Sequence, residues 1–71
     1  MNIDYADAIL KLRVKLNLSQ QEMAKLLNVS FPSISRWENG HNKPTKLVKV
    51  RIVELLKENN IDLEEANLWK E

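Results

Sequence analysis

The stretch that most constrains this chain runs from Ser19 to Gly40: Ser-Gln-Gln-Glu-Met-Ala-Lys-Leu-Leu-Asn-Val-Ser-Phe-Pro-Ser-Ile-Ser-Arg-Trp-Glu-Asn-Gly. It reads as two short helices around a tight corner. Ser19-Gln20-Gln21-Glu22 is a capping box, in which the Ser19 hydroxyl accepts the Glu22 amide and the Glu22 carboxylate reaches back to the Ser19 amide. Met23, Ala24 and Leu27 then share one helical face. Asn28 ends the first of these helices and Val29 turns inward. Ser30 caps the second helix with Pro32 in its first turn, where a missing amide hydrogen matters least. Alternatively that helix begins at Pro32 itself, because a residue before proline avoids the helical region. Ile34 and Trp37 are three apart and face the core, whereas Ser33, Ser35 and Arg36 lie away from it. Asn39-Gly40 stops the helix, glycine supplying the positive φ.

The flanks read as packing for this unit. A helix is predicted from Asp4 to about Leu16, with Ile9, Leu12 and Leu16 at i, i+3 and i+7, and Tyr5 and Ala6 extending the stripe. Asp4 and Asp7 fall in its first turn and Lys11, Arg13 and Lys15 nearer its end, as the helix dipole favours. Asn17 ends it and Leu18 packs inward. After the loop His41-Asn42-Lys43-Pro44, Thr45 caps a helix running to about Asn59. This helix is apolar over a wide arc: Leu47, Val48, Val50, Ile52, Val53, Leu55 and Leu56. A single buried stripe needs Val48, Ile52 and Leu55, with Leu56 beside them, so apolar residues are in excess. Asp62-x-x-Glu65 is a further capping signal. It predicts a fifth, short helix carrying Leu63, Ala66, Leu68 and Trp69. The expectation is one all-α domain over residues 1–71, organised around 19–40, with 61–69 as a dimerisation or packing helix.

Charge is distributed unevenly. Residues 11–51 hold nine basic residues against two acidic ones, while the first ten residues carry −2 and residues 52–71 carry −4. A basic middle between acidic ends implies one surface that faces a polyanion and others that avoid it. A chain of 71 residues buries only about 60% of its unfolded surface and gains from oligomerisation. The absence of cysteine removes disulfides and thiolate metal sites and fits a reducing cytosol. Met-Asn-Ile-Asp-Tyr at the start has no basic run and no apolar segment, so no signal peptide is expected. No apolar run approaches the ~18 residues needed to span a bilayer. There is no glycine-rich phosphate loop and no histidine partnered by a serine and an acid, and His41 stands alone. Neither an enzyme, a metal site nor a cofactor is expected.

Inward residues at Met23, Leu27, Val29, Ile34 and Trp37, a small Ala24 where two helices come closest, and a turn-tolerant Asn28 at the corner are the requirements of a helix-turn-helix. Leu-Ser-Gln-Gln-Glu-Met-Ala-Lys-Leu-Leu-Asn-Val-Ser, then Ser-Ile-Ser-Arg-Trp-Glu-Asn-Gly and Lys-Pro, resembles the Xre family of Cro and phage-repressor type, over roughly Ile9 to Leu56. Asn28 departs from the glycine usual at the corner. The resemblance implies a compact five-helix, lambda-repressor-like DNA-binding fold with the motif at helices 2 and 3. It implies double-stranded DNA as partner, regulation of transcription in a prokaryotic or phage cytoplasm, and a homodimer.

By the same resemblance, Arg36 and Ser33 match positions that read bases or hold the backbone, and base reading by Arg36 is expected through a bidentate contact to guanine. Phe31 either touches a thymine methyl or covers the turn; it and Pro32 depart from the polar residues common there. Gln20, Asn39, His41 and Lys43 match positions that hold phosphate, and Arg13 and Glu38 match an ion pair between helices. Ser30 and Ser35 are further phosphate candidates, although serine also reads either base type or simply caps and solvates. The spare apolar face suits a two-fold interface, or is covered by the terminal segment within one chain. A different function class, an antitoxin-type protein-interaction module docking through Leu47, Val50, Val53, Leu68 and Trp69, uses the same surface.

Overall fold

The computed structural model describes residues 2–70. Helix α1 (Tyr5–Leu16) starts where the Asp4 side chain accepts the Asp7 amide at 3.2 Å. Helix α2 (Gln20–Leu27) opens on the Ser19 box, α3 (Phe31–Glu38) on Ser30 and α4 (Lys46–Glu58) on Thr45. Phe31, not Pro32, is the first residue of α3, so the proline sits within the first turn, where the helix does not need its amide hydrogen.

The helices and the turn that follows them end by one recurrent device. Asn17, Asn28, Asn60 and Asn67 have φ of 56, 57, 59 and 57°. Each is followed by an apolar residue whose amide donates to a carbonyl five residues back. The bonds are Leu18 to Arg13 (2.9 Å), Val29 to Ala24 (2.9 Å), Ile61 to Leu56 (2.9 Å) and Leu68 to Leu63 (2.8 Å). Gly40, with φ 74°, does the same for α3 through His41 and Arg36 at 2.9 Å. This Schellman-type ending satisfies loose carbonyls and turns the following apolar side chain toward the core.

It also corrects the fifth helix. Asp62 does cap a turn, its carboxylate accepting the Glu64 and Glu65 amides at 2.8 and 3.1 Å. Asn67 then enters the left-handed region, and the segment closes after a single turn. Residues beyond it run extended: β2 (Trp69–Lys70) pairs antiparallel with β1 (Asn2–Ile3), Ile3 opposite Trp69. The described residues therefore form four helices, not five, closed by a short two-stranded ribbon.

The core draws on every helix: Ala8, Ile9 and Leu12 from α1, Met23, Ala24 and Leu27 from α2, Ile34 and Trp37 from α3, and Ile52, Leu55 and Leu56 from α4. Leu68 completes it with no exposed surface, which removes Leu68 from the partner-facing residues expected above. Its place in the core follows from the Asn67 turn, which aims it inward. Val53 and Trp69 are half-buried and line a shallow groove with Leu63, so the tail covers that edge of α4. The other edge stays bare, with Leu47 81% and Val50 53% exposed. Leu26 of α2, Val29 and Val48 share a groove with these two residues. Among the described residues no helix is long and apolar enough to cross a membrane.

Candidate nucleic-acid interface

The interface is built on the angle between α2 and α3. At the start of α2, the Ser19 amide donates to Glu22 Oε1 at 2.9 Å and the Glu22 amide donates to Ser19 Oγ at 3.1 Å. The backbone bond from Ser19, then the one involving its hydroxyl, hold the Glu22 carboxyl below its ordinary range, and Lys25 helps slightly. At the other end of α2, Asn28 adopts φ 57°, ψ 47°, a left-handed corner where glycine would have been unstrained. Ala24 is buried at the helix contact, and its carbonyl takes the Val29 amide.

The angle is braced from α1. Arg13 Nε donates to Glu38 Oε2 at 2.9 Å, Nη2 to Oε1 at 3.2 Å, and Nη1 to the Leu18 carbonyl at 3.2 Å. The side chains of this pair are only 23% and 10% exposed. Gln20 joins them, its Nε2 donating to Glu38 Oε1 at 3.0 Å. The end of α3 is thereby tied to α1 and to the first residue of α2. Sequence reasoning placed Gln20 and Glu38 separately and missed their contact, because no local spacing signal links residues so far apart.

The remaining site residues fall into pairs and exposed singles. Ser30 Oγ lies 2.8 Å from Ser33 Oγ and caps the Ser33 amide at 3.4 Å. Asn39 Nδ2 donates to the Ser35 carbonyl at 2.8 Å. Ser33 and Ser35 are half-buried, while Phe31 is 45% exposed at the start of α3. His41 and Lys43 are exposed in the loop after α3, which the buried Pro44 pins down. The Arg36 side chain is exposed on α3 and makes no hydrogen bond or ion pair among the described residues. Its five donors are thus available for a planar acceptor pair.

A helix-turn-helix family model matches residues 9–65, most of the chain and all of the braced angle just described. The chain belongs to the Xre/Cro-type helix-turn-helix family. Comparison with curated proteins gives no match, and neither does comparison with solved structures. The family is one of DNA-binding transcription regulators. Within this Xre-type domain α2 and α3 are the two motif helices, and Asn28 supplies the corner.

Proposed function

We propose that this protein is a sequence-specific double-stranded DNA-binding regulator, repressor-like and non-enzymatic, that lays α3 in the major groove. Arg36 carries the reading, supported by the exposure of its side chain on α3 with no polar partner for its guanidinium among the described residues. Ser33 and Phe31 complete the base-facing set, and the Ser33 hydroxyl keeps acceptor capacity beside its bond to Ser30. Gln20, Ser30, Ser35, Asn39, His41 and Lys43 hold the backbone and set register, as phosphate contacts do. Two copies pair through the bare edge of α4, Leu47 and Val50, and place their recognition helices in successive grooves about 34 Å apart. Cytoplasm of a prokaryote or phage-infected cell is the setting this reading implies.

Selection of bound fragments from a random duplex pool by the purified protein tests it. The expected product is a two-fold motif with short half-sites, bound with steep loss of affinity as salt rises. A pool that returns unenriched at low salt would overturn the reading. The exposed Leu47 favours a second one, an antitoxin-type module that docks on another protein with DNA binding secondary or absent. A chain that is monomeric by light scattering and binds no genomic fragment at low salt is what that alternative requires.

A further inference from the structure

The Glu38 carboxylate, whose side chain is 10% exposed, serves two partners. Glu38 Oε1 accepts from both Arg13 Nη2 at 3.2 Å and Gln20 Nε2 at 3.0 Å, while Oε2 is held by Arg13 Nε. Arg13 is itself anchored by its third nitrogen on the Leu18 carbonyl. A fold brace between α1 and α3 needs only the arginine and the glutamate. The glutamine comes from α2, outside that α1–α3 brace, and the contact restrains its own amide.

We infer that Glu38 is a positioning residue for DNA phosphate binding, acting through Gln20. This rests on the proposal that Gln20 holds a phosphate. A free glutamine at the first residue of a helix samples several rotamers and surrenders them on binding. Here one of the two amide hydrogens on Nε2 is spent on Glu38 in the unbound protein, which fixes the amide plane and leaves the second hydrogen directed elsewhere. The negative charge that does this would by itself repel a phosphate. Arg13, paired with it through two nitrogens, cancels that charge. The Arg13–Glu38 pair therefore has a binding role beyond holding two helices together, and replacing it by apolar residues of similar size spares the fold while releasing Gln20.

The test is a mutant cycle on a fluorescein-labelled random-sequence duplex of about 20 base pairs at low salt. In the wild-type background, Gln20→Ala is expected to weaken binding about tenfold. In an Arg13→Met/Glu38→Leu background that keeps its helical circular dichroism and cooperative melt, the duplex is bound about tenfold more weakly, and Gln20→Ala then changes little. An equal cost of Gln20→Ala in both backgrounds overturns the inference while leaving DNA binding intact. Failure of the wild-type protein to bind any duplex overturns the proposed function and the inference together. Should the double variant not fold, side-chain amide NMR of the wild-type chain decides. One Gln20 amide proton should stay fixed and its geminal partner shift on adding duplex; both moving alike, or neither moving, overturns the inference.

Discussion

The backbone amide of Asp4 donates to the carbonyl of Leu68 at 2.6 Å, so the residue that caps α1 also holds the residue that closes the core from the other end of the chain. Leu68 has no exposed surface and packs with residues from all four helices in one cluster. Truncating it leaves a cavity that a chain of this size cannot repack. Leu68→Ala is expected to lose about 2–5 kcal/mol in urea-induced unfolding. Such a loss is a large share of a typical domain's total stability. A loss below about 1 kcal/mol would mean that the tail does not unfold with the helices.

The first four helices were legible because their signals are local. Ser19, Ser30 and Thr45 each cap an amide three residues on, and that spacing is written in the chain. The error came at Asn67-Leu68. It is the same asparagine-then-apolar pair that ends α1 at Asn17-Leu18 and α2 at Asn28-Val29, and reading it as an ending would have stopped the fifth helix after one turn. The pairing of Trp69 with Ile3 has no such local sign. In the candidate site, Ser30–Ser33 and Ser35–Asn39 are neighbours on one helix and follow from helical spacing. The Gln20–Glu38 bond depends on how three elements pack, which no short window contains.

Asn28 tests the corner directly. An alanine there must adopt the left-handed conformation with a Cβ and without asparagine's local hydrogen bonding, so Asn28→Ala should destabilise by about 1–2 kcal/mol. Asn28→Gly removes the steric cost at the price of a more flexible unfolded chain, and should lie within about 0.5 kcal/mol of wild type. Chemical denaturation of the two variants side by side measures the difference. Equal losses would show that the corner tolerates strain elsewhere.

Glu22 gives the fold one defined pH response. Its carboxyl lies below its ordinary value of 4.5 in the folded protein, because the Ser19 amide and hydroxyl favour the charged form. A folded value below the unfolded one contributes stability that is complete above the unfolded pKa and is lost as pH falls through the folded pKa. Wild type should therefore be more stable than Glu22→Gln at neutral pH, and the gap should narrow through the acid range. Urea midpoints at several pH values report it. A gap independent of pH would assign the difference to something other than the carboxylate.

The bare edge of α4 makes a prediction about assembly. Leu47 is 81% exposed and Val50 53% exposed, so a charge at Leu47 disturbs nothing inside the monomer. In the proposed dimer Leu47→Glu sets two like charges near the two-fold axis. Sedimentation should show dissociation with an unchanged melt of the monomer, and affinity for a duplex with two half-sites should fall while that for one half-site holds. Wild-type protein that sediments as a monomer, free and on DNA, would remove this edge from the interface.

Arg36 separates reading from gripping. Because its side chain is exposed and makes no polar contact among the described residues, removing it should change stability by less than about 0.5 kcal/mol, so any binding effect belongs to the contact with DNA. If its guanidinium spans the edge of a guanine, Arg36→Ala should reduce discrimination between selected and scrambled sequences by about 1–3 kcal/mol. Gln20→Ala should instead weaken both sequences alike, since a phosphate carries no sequence. A salt titration adds an independent reading: an arginine lost from a phosphate lowers the slope of log affinity on log salt by about 1. Equal weakening of both duplexes by Arg36→Ala, with that change in slope, would move Arg36 from the bases to the backbone. Ser33 and Phe31 would then be left to account for whatever specificity α3 shows.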